Sequence, residues 1–311
     1  MPEEPRILVL GSLNADLVQR VERLPRPGET IAGGNLRIFP GGKGANQACA
    51  AARMGARVAM VGQVGSDHLS PMLLDSLRSA GVDVQHVGVG GESTGAAAIL
   101  VLPSGENTIV ISPGANATLT PEVALPRLAD LGPDSLLLCQ CEVPIETVES
   151  ALRRAKECGA RTVLDPAPAR PVAPSLLAAV DFLTPNETEA AVLLGRPESS
   201  LDSTDEARDV ALRLLQLGVG AVVLKLGARG CVVASKGEAQ VAPGFRVEAV
   251  DTTAAGDTFN GAFACALAEG RDPFAAARFA NAAGALSVTR HGAQTSIPSR
   301  VEVDEFLERA G

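Results

Sequence analysis

The chain has 311 residues, of which 46% are hydrophobic, and a formal net charge of −9. This length and composition suffice for a large buried core, arranged either as one domain with a small appendage or as two domains. The acidic balance argues against nucleic acid or an anionic membrane as the main partner, because both favour a basic surface.

The start of the chain, MPEEPRILVL, carries acids where a signal peptide needs a basic region. No apolar run in the sequence approaches the roughly 18 residues of a membrane-spanning helix. The six cysteines lie in apolar runs such as LLLCQCEV, without nearby Cys or His residues to complete a metal site. We therefore expect a cytoplasmic protein whose cysteines are reduced and buried.

In chain order, apolar runs typical of strands alternate with amphipathic helical stretches, which indicates a mostly parallel sheet covered on both faces. The stretches DHLSPMLLDSLRSAG and IETVESALRRAKECG are two such helices, and each ends on a glycine that can cap it. The predicted strands are 7–10, 58–62, 136–141, 162–165, 181–184 and 221–226.

Segments 15–39 and 94–112 interrupt this alternation, because they contain short strand patterns joined by Pro and Gly turns. We predict that they form a small β-sheet that projects from the core and acts as a lid. The segments expected to form the core are 1–14, 40–93 and 113–311.

Common phosphate-binding motifs are absent. The stretch FPGGKGANQ is not a P-loop, because it lacks the first glycine and carries Gly44 after the lysine. The first predicted strand is followed by GSLNAD rather than by GxGxxG, so a Rossmann dinucleotide site has little support.

The stretch AVDTTAAGDTFNGA places Asp257 behind Ala254, Ala255 and Gly256, where a helix is predicted to begin. Their uncovered N–H groups suit an anion. One interpretation makes Asp257 a first-turn acid stabilised by the helix dipole, an effect of roughly 0.3–1 kcal/mol. The other places a phosphoryl group on these N–H groups and makes Asp257 the base that accepts a proton from an attacking hydroxyl.

A second polar cluster, TPNETEA, follows the strand predicted at 181–184. Asn186, Glu187 and Glu189 would then stand at the sheet edge where open α/β folds bind ligands. They form either a capped helix start with acids in its first turn or a Mg²⁺ site that acts through water.

The motifs GSLNAD, GGKGANQA, ESTG, GAN, PAPAR, TPNETEA, LGARG, DTTAAGDTFNGA and RHGAQTSIP occur in the order typical of the PfkB family of carbohydrate kinases. The chain resembles this family from about residue 7 to residue 306. The resemblance implies a Rossmann-like three-layer α/β/α core with a β-sheet lid. It also implies ATP-dependent phosphorylation of the 5-hydroxyl of D-ribose. The alternatives are a kinase of deoxyribose, a ketohexose or a nucleoside, and a non-catalytic sugar-binding protein.

The resemblance also implies the site residues. The catalytic base would be Asp257, beside an anion hole formed by Ala254, Ala255 and Gly256. The sugar site would fall on Asn14, Asp16, Gly42, Lys43, Asn46, Glu142 and Asp257. The ATP site would fall on Asn186, Lys225, Leu226, Gly227, Ala228, Arg229, Gly230, Gly256 and Asn281. Lys225 and Asn281 stand where better-known members of the family carry Thr and His.

Two kinds of ion are implied by the same resemblance. Mg²⁺ would accompany ATP and would be held through water by Glu189. A monovalent cation such as K⁺ would activate the enzyme. Its ligands would be Asp251, Ser296 and the backbone carbonyls of Thr253, Ser287, Arg290 and Gly292.

The predicted lid also bears on assembly. Its apolar residues Ile99, Val101, Ile109 and Ile111 alternate with their neighbours, as in a sheet with two distinct faces. We expect one face to meet the sugar and these residues to form the other, which a second copy of the chain would bury. The resemblance implies such a homodimer through the lid. The alternative is a monomer whose apolar lid residues pack on its own core.

Overall fold

The computed structural model describes residues 6–196 and 200–310 of the chain. Within these residues the chain forms thirteen strands and ten α-helices. The strands are β1 (Arg6–Leu10), β2 (Asn14–Arg20), β3 (Arg37–Gly41), β4 (Arg57–Val64), β5 (Val87–Val89), β6 (Gly95–Val101), β7 (Asn107–Ser112), β8 (Ser135–Gln140), β9 (Arg161–Asp165), β10 (Phe182–Leu183), β11 (Ala221–Lys225), β12 (Gly230–Ser235) and β13 (Glu238–Pro243). The helices are α1 (Lys43–Arg53), α2 (Ser70–Ser79), α3 (Pro121–Ala124), α4 (Ile145–Glu157), α5 (Pro174–Leu177), α6 (Glu187–Leu193), α7 (Thr204–Leu215), α8 (Ala255–Ala268), α9 (Pro273–Ser287) and α10 (Arg300–Ala310).

The main sheet contains nine of these strands, in the order β13-β12-β11-β10-β9-β8-β1-β4-β5. The pairs from β11 to β5 are parallel, and β12 and β13 extend the sheet in antiparallel orientation. Each of the six predicted strands lies in this sheet, with bounds shifted by at most two residues. The predicted parallel core is therefore confirmed.

Helices cover both faces of this sheet. Along β1, Ile7 and Val9 join one hydrophobic cluster and Leu8 and Leu10 join the other, because successive side chains of a strand point to opposite faces. Helices α1, α2, α8 and α9 pack on the first face, and α4 and α7 pack on the second. The result is the three-layer α/β/α arrangement that the sequence predicts.

The six cysteines are free thiols, and all but Cys158 are buried, as expected from their apolar surroundings. No helix in the described parts of the chain is long and apolar enough to cross a membrane.

A second, smaller sheet has the strand order β3-β2-β6-β7. Strands β2 and β6 are parallel, and the other two pairs are antiparallel. These strands fall in the two segments predicted to form a small sheet, apart from Asn14 of β2 and from Pro40 and Gly41 of β3. Strand β7 is exposed along its whole length, so this edge of the sheet stands outside the packed core, whereas Ala15 of β2 is buried in it.

The register of the small sheet corrects one expectation about its faces. Asp16 of β2 pairs with Ala97 of β6, and Ala97 pairs with Ile111 of β7. Paired residues share a face, and so do alternate residues of one strand, so Ile99 and its partner Ile109 also lie on the face of Asp16. The expectation that the four apolar residues form a face separate from the sugar site is therefore wrong.

Candidate active site

The candidate site lies at the carboxyl ends of the parallel strands, where open α/β sheets bind ligands. Asp165 ends β9 and Lys225 ends β11. Their side chains form a salt bridge of 3.0 Å and are 2% and 13% exposed, respectively. The pair therefore places one buried carboxylate and one ammonium group at this edge.

Asp257 stands in the first turn of α8 and is buried. Its carboxylate accepts hydrogen bonds from two consecutive residues of α1: Asn46 Nδ2 donates to Oδ2 at 2.9 Å, and Gln47 Nε2 donates to Oδ1 at 3.0 Å. A capping carboxylate would instead accept from N–H groups of its own helix, and α8 has no side-chain cap. Asp257 is thus an acid in the first turn of α8, as the helix-dipole interpretation expects, and its carboxylate is held by α1 in addition. Its role as the base remains a prediction.

Gln47 joins two carboxylates, although sequence reasoning assigned no role to it or to Asp165. Its Nε2 donates to Oδ2 of Asp165 at 2.8 Å as well as to Asp257. Gln47 was part of the GGKGANQA motif, and Asp165 was the last residue of a predicted strand. An acid at the carboxyl end of a parallel strand is the signal that would have identified Asp165.

Lys43, at the start of α1, is surrounded by carboxylates. Burial by itself lowers the pKa of Lys43, but Asp257, Asp165 and Glu142 raise it above its ordinary value. Glu142 Oε2 accepts a hydrogen bond of 2.5 Å from the Ser12 hydroxyl and one of 3.1 Å from the backbone N–H of Lys43. Lys43 therefore stays protonated and balances part of the acidic charge.

Asp16 faces this acidic cluster from the small sheet. Its carboxylate lies against the backbone of Gly41, where a Cβ atom would come within 2.2 Å of Oδ2, so a larger residue at that position would displace the carboxylate. Burial, followed by repulsion from Glu142 and Asp257, raises the pKa of Asp16 to about 7. A ligand that donates a hydrogen bond to this carboxylate would relieve part of that penalty.

Asn14 is fixed by Asn116, for which the sequence predicted no role. Nδ2 of Asn116 donates to Oδ1 of Asn14 at 2.7 Å, and the N–H of Leu13 donates to Oδ1 of Asn116 at 2.9 Å. Asn116 belongs to the GAN motif, which gave no indication of its partner. The predicted sugar-binding residues that these contacts and charges bring together are Asn14, Asp16, Gly42, Lys43, Asn46, Glu142 and Asp257.

Helix α8 is preceded by a left-handed residue, Ala254, whose φ is 58°. Non-glycine residues rarely adopt this conformation, and it concentrates at functional sites. First-turn N–H groups have no acceptor inside a helix, but that of Ala255 donates to the Thr252 carbonyl at 3.2 Å. Gly256 is exposed, and a Cβ there would lie 3.8 Å from Nζ of Lys225. Helix N–H groups and an ammonium group thus lie side by side, which suits an anion.

Asn186 caps α6 in a reciprocal arrangement with Glu189. The N–H of Glu189 donates to Oδ1 of Asn186 at 2.8 Å, and the N–H of Asn186 donates to Oε2 of Glu189 at 2.7 Å. The capping interpretation of TPNETEA is therefore confirmed. A β-bridge also joins Asn186 to Lys225, which places this cap beside the candidate phosphate site.

The other predicted ATP-binding residues lie around the turn between β11 and β12. Arg229 donates to Glu187 at 2.6 Å and to the Leu201 carbonyl at 2.7 Å. The Nδ2 group of Asn281 donates to the Ala242 carbonyl at 3.0 Å, which ties α9 to β13. The turn itself consists of Leu226, Gly227, Ala228, Arg229 and Gly230.

The donor set is compatible with Mg²⁺ held through water. Residues 6–196 and 200–310 contain no group of three or more His, Cys, Asp or Glu side chains that could hold a metal. Both carboxylate oxygens of Glu189 are occupied, since Oε2 accepts the Asn186 N–H and Oε1 accepts its Nδ2 group at 2.9 Å. Burial raises the pKa of Glu189, and Lys225 opposes this effect. An ion that keeps its water shell and is bound mainly by phosphate oxygens suits these residues.

Asp251 joins the segment before α8 to the loop after α9. The N–H groups of Thr253 and Gly292 donate to its two carboxylate oxygens, each at 2.9 Å. Burial raises the pKa of Asp251, but these hydrogen bonds hold it below its ordinary value. Other side chains of the predicted cation site have local partners: Ser287 donates to Gly284, Ser296 to Ala293 and Arg290 to Glu302. The predicted carbonyl ligands remain a prediction.

The buried carboxylate beside a helix N-terminus at the edge of an α/β sheet is an arrangement that can support transfer of a phosphoryl group to a small molecule. Residues 4–300 of the chain match the sequence model of a protein family described as pfkB family carbohydrate kinase. The chain belongs to the PfkB family of carbohydrate kinases, as its motifs indicate.

Three relatives are similar over nearly their whole length. The chain is 45% identical over 305 residues to the ribokinase of Haemophilus influenzae, which covers 98% of this chain and 99% of that protein. It is 37% identical over 303 residues to the deoxyribokinase of Salmonella typhimurium, with 97% and 98% covered. The structure of Arabidopsis thaliana ribokinase complexed with ribose and ATP has a TM-score of 0.89 and 33% identity, and the match covers 98% of this chain and 99% of that one.

Proposed function

We propose that this chain is an ATP-dependent kinase that phosphorylates the 5-hydroxyl of D-ribose. The observation that carries the proposal is the position of Asp257, whose buried carboxylate is held by Asn46 and Gln47 at the N-terminus of α8. Lys225 adds a positive charge beside this helix start. The full-length similarity to ribokinases supports ribose as the sugar.

The sugar is bound by groups that match its hydroxyls. Asn14, Asp16, Lys43 and Glu142 supply both donors and acceptors, and an analogue that leaves such groups unpaired is rejected. Asp257 accepts the proton of the 5-hydroxyl while that oxygen attacks the γ-phosphorus. The bond from this phosphorus to the β,γ-bridging oxygen breaks, and ADP leaves with the electron pair.

ATP lies along the turn between β11 and β12, in contact with Asn186 and Asn281. The N–H groups at the start of α8 stabilise the charge that develops on the transferred phosphoryl group. Lys225 stands beside Gly256 and supports them with its ammonium group. Glu189 would hold Mg²⁺ through water, and the ion would neutralise phosphate charge.

The segments 15–39 and 94–112 serve in this proposal as a lid that excludes water from the sugar, over a core of 1–14, 40–93 and 113–311. The lid is also the interface of a homodimer. The face that carries Asp16 continues into Ile109 and Ile111, which are 48% and 47% exposed. A second copy that covers these residues would also close the sugar end of the same face.

We also propose a monovalent cation site and a location in the cell. A K⁺-sized cation beside Asp251 would hold the loop that leads into α8 and thereby the anion hole. The cytoplasmic location expected from the sequence stays a prediction.

Replacement of Asp257 by Asn tests the function. Asp257→Asn keeps the side-chain shape but removes proton acceptance, so kcat with ribose should fall by roughly 10²- to 10⁴-fold. ATP consumption coupled to ADP detection measures this. Asp205→Asn is the matched control, since Asp205 is also a first-turn acid but its side chain is 88% exposed, and its kcat should not change. Near-normal turnover of Asp257→Asn would reject the base.

A substrate panel with the wild-type chain tests the sugar. We expect the highest kcat/KM for ribose among ribose, 2-deoxyribose, fructose and adenosine. A preference for deoxyribose would assign the chain to the activity named for its Salmonella relative. Sugar binding without ATP consumption for any member would support the non-catalytic alternative.

A further inference from the structure

Four side-chain amides surround the carboxylate of Asp257 in two layers. Asn46 and Gln47 contact the carboxylate directly. Behind them, Gln140 Nε2 donates to Oε1 of Gln47 at 2.7 Å, and Gln294 Nε2 donates to Oδ1 of Asn46 at 3.2 Å. Gln140 and Gln294 have no role in the mechanism derived above.

The inner layer has only one workable orientation. A carboxylate accepts hydrogen bonds and donates none, so Gln47 must turn its NH₂ group toward Asp257 and Asp165. Both N–H bonds of that amide are thereby used, one for each acid. The carbonyl oxygen of Gln47 then points away from them and needs a donor of its own.

Gln140, the last residue of β8, supplies that donor, and its own carbonyl oxygen is left without a hydrogen bond from any residue that the structure describes. Gln140 is fully buried, and its Oε1 atom has no hydrogen-bond partner among the described residues. This oxygen lies against Gly11, where a Cβ atom would come within 2.0 Å of it. A reversed Gln140 amide would set two carbonyl oxygens against each other. The unpaired oxygen is thus the consequence of a donor that must face Gln47.

Gln294 orients the amide of Asn46 in the same way, by donating a hydrogen bond to its carbonyl oxygen. Its own Oε1 accepts a hydrogen bond of 2.6 Å from the Ser76 hydroxyl, so its NH₂ group is directed toward Asn46. The two outer glutamines come from β8 and from the loop after α9. They converge on consecutive residues of α1.

We propose that Gln140 and Gln294 are positioning residues that fix the amides of Gln47 and Asn46 with their N–H groups toward the base. The proposal rests on the assignment of Asp257 as the base. Held in this way, the carboxylate presents its remaining lone pairs to the substrate hydroxyl in one orientation. A loss of that orientation lowers kcat and leaves substrate binding largely intact, because misplacement of about 1 Å can reduce catalysis by 10²-fold.

The first test removes the donor of Gln140 at nearly constant volume. Gln140→Met should lower kcat by about tenfold or more, with KM for ribose and ATP within about twofold of the wild type. The matched control is Gln63→Met. Gln63 is also buried, but its Nε2 donates to the Thr118 carbonyl at 2.7 Å and not to the amides around Asp257. This control should lower the melting temperature without changing kcat.

The second test separates a positioning role from a structural one by its pH profile. In Gln140→Glu the protonated carboxyl can still donate to Gln47, whereas the ionised form cannot. The acids that face this position are Asp165, in register on β9, and Asp257, through Gln47. Glu142 and Glu189, with the ammonium groups of Lys43 and Lys225, complete the charged surroundings. The variant should be most active at low pH and lose kcat as pH rises, over a range in which the wild type does not.

The outcomes separate this inference from the function itself. Wild-type kcat in Gln140→Met, or a pH profile of Gln140→Glu that is the wild-type profile scaled by a constant, would overturn the positioning role. If either result were obtained while the Asp257→Asn variant is inactive, the proposed function would still stand. If the Asp257→Asn variant were active, Asp257 would not be the base, and the inference about Gln140 and Gln294 would no longer have support.

Discussion

Asp16 is under electrostatic strain in the folded chain. Its pKa is about 7 in the folded chain against an ordinary value of 3.8, because burial and the neighbouring acids oppose its ionisation. A raised pKa means that the folded state keeps a proton that the unfolded chain releases. The associated stability is complete below about pH 4 and is lost as the pH rises through about 7. The sugar site therefore opposes folding most strongly under the conditions in which it is ionised.

Asp16→Asn should relieve this strain. The amide cannot ionise, so the melting temperature of the variant should exceed that of the wild type by more at pH 8 than at pH 5.5, while its affinity for ribose falls. Differential scanning calorimetry and equilibrium binding measure the two effects. Asp75→Asn, at a side chain that is 70% exposed, serves as the control. An equal difference in melting temperature at both pH values would contradict the raised pKa.

Helix α1 shows how far sequence reasoning reached at the site. The GGKGANQA motif located Lys43 and Asn46, but the same letters gave Gln47 no role. Its function depends on Asp165 and Asp257, which are 118 and 210 residues away along the chain. Hydrogen bonds between residues so far apart in the chain depend on how α1 meets α8 and the end of β9 in the folded protein. Short sequence motifs do not contain that information.

The loop between α9 and α10 provides a test of the monovalent-cation proposal. Exchange of Na⁺ for K⁺ at constant ionic strength should raise kcat, because a bound cation would fix the segment that leads into the anion hole. Asp251→Ala should abolish the difference between the two salts, whereas the wild type keeps it. Steady-state rates after removal of trace K⁺ measure this. Equal wild-type rates in the two salts would remove the cation from the mechanism.

The small sheet provides the test of assembly. Val101→Lys and Ile109→Lys should each shift the chain from dimer to monomer and weaken ribose binding, because both residues share the face of Asp16. Light scattering at micromolar concentration and ribose titration measure the two effects. Val301→Lys, at an apolar residue on α10 that is 64% exposed, is the matched control. A wild-type chain that is monomeric and binds ribose fully would contradict the dimer.

At the scale of the whole molecule, the parallel core could be predicted and the faces of the small sheet could not. The strands at 7–10 and 136–141 are apolar on both sides, a pattern that buried parallel strands produce directly. In the small sheet, alternation at Ile99 and Ile109 revealed two faces but not which one carries Asp16. That depends on the parallel pairing of β2 with β6, a contact between distant segments.

The position of β1 in the main sheet has a consequence for how the chain is made. Strand β1 lies between β4 and β8, so Leu10 pairs with Val61 on one side and with Cys139 on the other. On the ribosome, where synthesis proceeds at about 5–20 residues per second, one edge of this strand, which is apolar from Ile7 to Leu10, stays open for seconds until β8 emerges. Pairing between such distant segments is intrinsically slow, and the open edge invites association with other nascent chains. The arrangement that buries the centre of the finished enzyme thus leaves an unpaired strand edge in its first half while it is being synthesised.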